Sequence, residues 1–220
     1  MIKNDTFSKA FAPSNATIFS ANTYNLIIGL VVLWGFFVNW MMVEYIPYAE
    51  LASINPWVFL IGYFVSAFFG VYLFSSSDNP IVSFIGYNFV VVPLGAVVVL
   101  SLNGVDHSEI RQAMEITGLA TAIMMALGTL FPKFFNSIGK GLFIALVASI
   151  IAEFIMIFVF QQGLELMNYI VIVIFCGYIG YDWARAQSIP KTLDNAIDSA
   201  ASIYMDIIIL FLRILSASRN

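Results

Sequence analysis

Charged residues are scarce in this sequence of 220 residues. Only 10% are Asp, Glu, Lys or Arg, whereas 61% are hydrophobic and 16% aromatic. A soluble domain carries about 25% charged residues, because water must wet its surface. A chain with so little charge cannot cover itself with a polar surface, so its composition predicts an integral membrane protein in contact with the lipid bilayer. The net charge of −4 also argues against nucleic acid as a partner.

Cysteine and histidine are nearly absent, with one of each. Cys176 lies in an apolar run and predicts neither a disulfide framework nor a thiolate metal site. His107 lies in a polar loop with Asp106 and Glu109. Serine–histidine and zinc chemistry therefore lack their components inside the apolar stretches. We expect no enzyme activity and no resident cofactor, with Ca²⁺ and H⁺ as the permeant or regulatory ions.

Seven apolar stretches are long enough, or nearly so, to span a membrane as helices. They cover residues 24–43, 57–74, 81–101, 112–131, 139–160, 167–184 and 195–215. Short connections rich in Pro, Gly and Asn join them, so a single all-α, seven-helix membrane domain is predicted over residues 1–220. A polar arm, residues 1–23, precedes the first stretch, which is longer than the core of a signal peptide and is expected to remain as a spanning helix.

Basic residues favour one orientation of these spans. Cytoplasmic segments of membrane proteins are enriched in Lys and Arg, and six of the nine basic residues lie on the inner side if the N-terminus is cytoplasmic. The inner ones are Lys3, Lys9, Lys133, Lys140, Arg185 and Lys191, and the outer ones are Arg111, Arg213 and Arg219. We therefore expect a cytoplasmic N-terminus.

Small residues recur every three or four positions in three of the stretches. This spacing lets membrane helices approach closely, so it predicts a compact bundle. The series are Gly62, Ser66 and Gly70, then Gly118, Ala122 and Ala126, then Gly141, Ala145, Ala148 and Ala152.

A polar stripe runs along the seventh stretch. On a helical wheel its members fall within about 80° of each other, so they share one face that cannot point to lipid. They are Asn195, Asp198, Ser202, Asp206 and Arg213. Asp206 is the deepest, and a central aspartate costs about 2.5–3.5 kcal/mol on insertion scales. Pairing, protonation or a bound cation is needed to offset that cost.

Asp182 is the acid best placed to pair with Asp206. It closes the sixth stretch, and a short loop leads from there into the seventh. Two carboxyl groups in contact would share a proton or bind a cation such as Ca²⁺. The alternative is two separately satisfied side chains, with Asp182 near water and Asp206 bonded to the hydroxyl group of Tyr204 or Ser202.

Glu153 is a second acid deep in a span, and the sequence suggests no basic residue inside a span at its depth. It is therefore either protonated and hydrogen-bonded or part of an ion path. Further candidates for lining such a path or supporting the aspartates are Asp198, Ser202, Tyr204, Arg185 and Arg213. Arg185 also fits an anchor on the inner side of the membrane.

The end of the chain resembles a known family. Tyr181-Asp182 followed by "DNAIDSAASIYMDIIILFLRIL" is similar to the C-terminal signature of the Bax inhibitor-1 (transmembrane Bax inhibitor motif) family, which has bacterial members. The resemblance implies six helices around a central seventh, and a bacterial cytoplasmic membrane. It also implies a pH-sensitive calcium leak closed by an aspartate pair, carried over to Asp182 and Asp206.

This sequence departs from that family pattern at two points. Ile209 stands where the family often has Asn, and residues 57–74 contain no basic residue. Bacterial relatives can carry an arginine in this second span that pairs with the first aspartate. The closure is therefore expected to rest on the shared proton alone.

Two other functions remain open from the residues. One is a non-conducting adaptor that regulates a protease or a stress or cell-death pathway through a membrane-protein partner. The other is an intramembrane aspartyl protease, which also has "YD" on one span and an aspartate on the next. Those enzymes have "GxGD" at the second aspartate, where this chain has Tyr204-Met205-Asp206, and no "PAL" tripeptide follows.

Overall fold

The computed structural model describes residues 16–160 and 165–219, except the side chain of Phe158. Most of the predicted N-terminal arm, residues 1–15, lies outside this range. All regular structure in the described residues is helical, in eight α-helices and one π-helical segment. They are α1 (Ala21–Tyr45), α2 (Tyr48–Ala52), α3 (Pro56–Ser76), α4 (Pro80–Leu102), α5 (His107–Leu130), α6 (Pro132–Ile155), the π-helix Met156–Phe160, α7 (Glu165–Ser188) and α8 (Leu193–Ser218).

Seven of the described helices, α1 and α3–α8, are long and apolar enough to cross a membrane. They follow the order of the predicted stretches and confirm a helical membrane bundle. Large apolar side chains remain exposed on them, for example Phe68 at 69% and Val173 at 71%. Such surfaces are stable only against lipid, so the chain is an integral multi-pass membrane protein.

All seven spanning helices begin before their predicted first residues, and two of them begin well before. Helix α5 begins at His107 rather than residue 112, and α6 begins at Pro132 rather than residue 139. By the predicted bounds, Pro132 fell in the connection between the fourth and fifth stretches. It instead occupies the first position of α6, where its missing N–H is not needed and its fixed φ suits a helix.

The described residues form two compact units. The first contains those up to Asn103 together with Ala186–Met205. Helices α3 and α4 meet at their backbones, where a Cβ added at Gly70 would lie 2.5 Å from the carbonyl oxygen of Gly86. This backbone contact confirms the packing role predicted for Gly70.

Buried hydrogen bonds tie the first part of α8 to α1 and α4 inside this unit. Asn39 Nδ2 donates to the Tyr204 hydroxyl group over 2.6 Å. Ser83 Oγ donates to Asp194 Oδ1 over 2.6 Å. The Tyr24 hydroxyl group contacts the carbonyl oxygen of Asn195 at 3.2 Å. The polar residues at the start of α8 are thus satisfied by side chains of neighbouring helices.

The second unit contains the described residues of Gly104–Arg185 and Asp206–Arg219. Helices α5 and α7 meet at two glycines, because a Cβ added at Gly128 would lie 2.6 Å from the carbonyl oxygen of Gly180. Trp183 Nε1 donates to Thr129 Oγ1 over 2.8 Å beside this contact. Asp182 lies between Gly180 and Trp183 in the chain, so this crossing fixes the segment that carries it.

The glycines of the other two series make no close contact, and neither does Gly62 in the first series. A Cβ added at Gly118 or Gly141 would meet no atom within 4 Å. Helices α6 and α7 instead leave an apolar groove of about 560 Å³. Its lining includes Ala145, Ala148, Ser149, Ala152, Ile170 and Val173. Small residues permit close approach of helices, but the larger side chains opposite them decide whether it occurs.

Helix α8 is one of the two most buried spans, with 50% of its most apolar window buried. Its length of 26 residues corresponds to about 39 Å, enough to cross a bilayer. Its central place among the other six spans, and the single domain, stay predictions.

Candidate functional site

The carboxyl groups of Asp182 on α7 and Asp206 on α8 lie within hydrogen-bonding reach of each other. Asp206 is only 6% exposed, and the Asp182 side chain is 11% exposed. Ionised carboxylates only accept hydrogen bonds, so a hydrogen bond between these two groups would require a proton on one of them. Among the described residues no amide or hydroxyl group donates to the buried Oδ2 of Asp206. The two carboxyl groups therefore lie where a proton could be shared between them.

Asp182 lies inside α7 and not at its end. The helix was expected to end near residue 184, with Asp182 close to water, but it continues to Ser188. Helix-forming alanines extend it, and Ala184 is fully buried. The prediction that this span ends near residue 184 is therefore wrong, and Asp182 lies six residues before the end of the helix.

Arg185 supplies a positive charge beside the pair. Its Nη1 lies 3.6 Å from Asp182 Oδ1, and the two side chains are three residues apart on one helix face. Helix α3, the second span, contains no charged residue. As predicted, it therefore has no arginine to pair with Asp182. Tyr178, one turn before Asp182, lies close enough to both aspartates to interact with them. The cation beside the pair thus comes from α7 itself.

Glu153 has a basic partner, contrary to the expectation from the sequence. Arg213 Nη2 on α8 donates to Glu153 Oε2 over 2.9 Å, and Arg213 Nη1 lies 2.5 Å from Glu153 Oε1. Arg213 was placed at the outer end of its span, but its long side chain extends to the depth of Glu153. The position of Arg213 on the polar stripe of α8 was the feature of the sequence that could have indicated this pairing.

Three other predicted site residues belong to the first unit. The Ser202 hydroxyl group donates to the carbonyl oxygen of Asp198 over 3.3 Å. The Tyr204 hydroxyl group accepts from Asn39. Asp198 is half-buried. The hydroxyl groups proposed as alternative partners for Asp206 therefore engage other groups, and a role of these residues in an ion path stays a prediction.

No cluster of three or more His, Cys, Asp or Glu side chains in residues 16–160 and 165–219 is arranged to hold a metal ion. A cation at Asp182 and Asp206 would therefore have the two aspartates as its carboxylate ligands. Calcium binding there stays a proposal.

Comparison with known proteins identifies the family. The chain matches the family described as "Inhibitor of apoptosis-promoting Bax1" over residues 16–219. An uncharacterized protein of Helicobacter pylori is 30% identical over 169 residues, covering 72% of this chain and 69% of that protein. The protein LIFEGUARD 4 of Arabidopsis thaliana is 38% identical over 89 residues, covering 39% of this chain and 35% of its own length. The fold and these matches define a multi-pass helical membrane protein. The chain belongs to the Bax inhibitor-1 family.

Proposed function

We propose that this protein is a pH-sensitive leak pathway for cations, with calcium as the permeant ion and Asp182 and Asp206 as its gate. The observation that carries the proposal is the close approach of these two buried carboxyl groups, which lie within hydrogen-bonding reach of each other on α7 and α8. An intramembrane acid is costly and generally marks a functional site. A pair that needs a proton to stay together is suited to report pH.

The shared proton holds the gate shut. When it leaves, two negative charges lie within hydrogen-bonding reach of each other and repel. Asp206 then moves away from Asp182, and both carboxylates offer oxygen ligands of the kind that Ca²⁺ prefers. Because Arg185 places its positive charge beside Asp182, we assign the shared proton to Asp206. The pair titrates as one unit, so its two aspartates act together.

The membrane and orientation belong to the same proposal. We place the protein in a bacterial cytoplasmic membrane with its N-terminus in the cytoplasm. Arg185 lies near the end of α7 and Lys191 lies in the loop between α7 and α8, which is consistent with a cytoplasmic loop. The closed aspartate pair would then face the cytoplasm and respond to cytoplasmic pH.

Calcium flux into liposomes tests this function. Purified protein in calcium-free liposomes should admit Ca²⁺ faster as pH rises from about 5 to about 8, with no pH gradient across the membrane. The double variant Asp182→Asn, Asp206→Asn should lose this pH response, because neither amide titrates. Asp106→Asn makes the same chemical change at an exposed position and should retain it. Equal leak from the wild type and the double variant at every pH would refute the gate.

A further inference from the structure

A second polar cluster in the same unit connects three helices. Arg213 Nη1 donates to Asn168 Oδ1 over 3.3 Å, in addition to its two contacts with Glu153. Asn168 Nδ2 contacts Ser216 Oγ at 3.1 Å. Glu153 lies on α6, Asn168 on α7, and Arg213 and Ser216 on α8. We call these four residues the Arg213 cluster.

The Arg213 cluster is separate from the aspartate pair. Arg213 follows Asp206 by seven residues, which is about 10 Å along α8. Asn168 precedes Asp182 by fourteen residues, or about 21 Å along α7. On each helix, the step from the aspartate to the residue of the cluster leads toward the C-terminal end of α8. The cluster therefore lies beyond the aspartates along the same two helices.

The guanidinium group occupies a position that suits a metal cation. It lies against both oxygens of the Glu153 carboxylate and the amide oxygen of Asn168. Carboxylate and amide oxygens are the ligands that Ca²⁺ takes in proteins, and a bidentate Glu is common among them. Arg213 is thus a positive charge tethered to α8 within a set of oxygen ligands.

The surroundings of Glu153 allow this contact to open. The α-helical hydrogen bonding of α6 ends at Ile155, two residues after Glu153, and the π-helix begins there. Short π-helical segments often occur at functional sites. The apolar groove between α6 and α7 reaches Ala152, next to Glu153, so dense packing does not hold the two helices together at this level.

We propose that Glu153 and Asn168 form a second cation site of the leak pathway, closed by Arg213 as a built-in substitute for Ca²⁺. When Arg213 withdraws, the oxygens of Glu153 and Asn168 become ligands for a permeating divalent cation, and Ser216 Oγ lies next to them. The inference rests on the proposed leak for its role in transport, but cation binding by the site does not depend on flux.

Arg213→Gln tests the site, because it removes the tethered charge and leaves the oxygens. Millimolar Ca²⁺ should raise the Tm of this variant in detergent by several degrees relative to Na⁺ at equal ionic strength, since a ligand of the folded state stabilises it. Glu153→Gln, Arg213→Gln lacks the carboxylate and should show no such shift. Arg111→Gln, the same change at an exposed arginine, should behave like the wild type.

Flux supplies a second readout. Arg213→Gln should leak Ca²⁺ about tenfold faster than the wild type at alkaline pH, where the aspartate gate is open, equivalent to about 1.4 kcal/mol. Its flux should still respond to pH, because the aspartates are intact. If Arg213→Gln does not fold because Glu153 is left unpaired, purification in Ca²⁺ should recover it, whereas purification in Na⁺ should not.

The outcomes separate this inference from the proposed function. Absence of a calcium-specific Tm shift or recovery in Arg213→Gln would overturn the site, as would an equal shift in the double variant. A wild type without pH-dependent flux would overturn the leak and leave the Tm comparison to decide the site.

Discussion

Asp206→Ala is expected to make the protein leak calcium at every pH. In the proposed gate the substitution removes the hydrogen bond between the two aspartates, and Arg185 stays as the charged neighbour of Asp182. A hydrogen bond to a charged group contributes about 1.5–3 kcal/mol. Losing it should raise the ratio of open to closed protein roughly tenfold to hundredfold. Calcium influx into liposomes should be fast, and its rate should be the same from acidic to alkaline pH.

Asp206→Asn is the matched variant and should have the opposite effect. Its amide group can donate to the Asp182 carboxylate at any pH, so it imitates the pair with its proton in place. Leak should stay at the low acidic level of the wild type over the whole range. If Ala and Asn at this position gave the same flux at every pH, the hydrogen bond would not be the gate.

Gly128→Ala is expected to have two effects. It should destabilise the second unit, and it should disturb the gate. The added methyl group would lie 2.6 Å from the carbonyl oxygen of Gly180, and backbone cannot rotate away as a side chain can. Overpacking of this kind costs about 1–3 kcal/mol. The melting temperature should fall by roughly 2–12 °C. Because Asp182 follows Gly180 by two residues, displacement of α7 should also weaken its contact with Asp206.

Gly118→Ala is the control for this change. It lies on the same helix, and its Cβ would have open space around it. Alanine favours a helix over glycine by about 1 kcal/mol, so Tm and pH response should be preserved or slightly improved. Thermal melting in detergent and the calcium flux assay check both variants. A Gly128→Ala protein as stable and as pH-sensitive as Gly118→Ala would show that the crossing does not position Asp182.

The spans could be predicted because the bilayer imposes them. Each crossing needs about 20 apolar residues, and this requirement is visible in sequence. Asp182 and Asp206 stood out for the related reason that a carboxyl group in an apolar run is costly. Their helices are consecutive in the chain, which made contact between them a reasonable expectation. The continuation of α7 beyond Asp182 was missed because polar residues near a helix end resemble a loop.

The Arg213 cluster could not be predicted from residue positions alone. Depth in a span was judged from the Cα position, whereas the Arg213 guanidinium lies several bonds away. The helix crossing at Gly128 and Gly180 was missed for a different reason. Gly118 and Gly141 have the same small-residue spacing in sequence, and only the side chains across the interface distinguish a close contact from an open groove.

The distance between the Asp182 and Asp206 carboxyl groups at two pH values is the most direct test of the gate. It can be measured in structures of the wild-type protein in lipid nanodiscs at acidic and at alkaline pH. We predict an oxygen–oxygen distance of about 2.5–3.0 Å at acidic pH, as in a hydrogen bond, and clear separation at alkaline pH. The same distance at both pH values, or separation at both with neither water nor an ion between the groups, would contradict a proton-dependent gate.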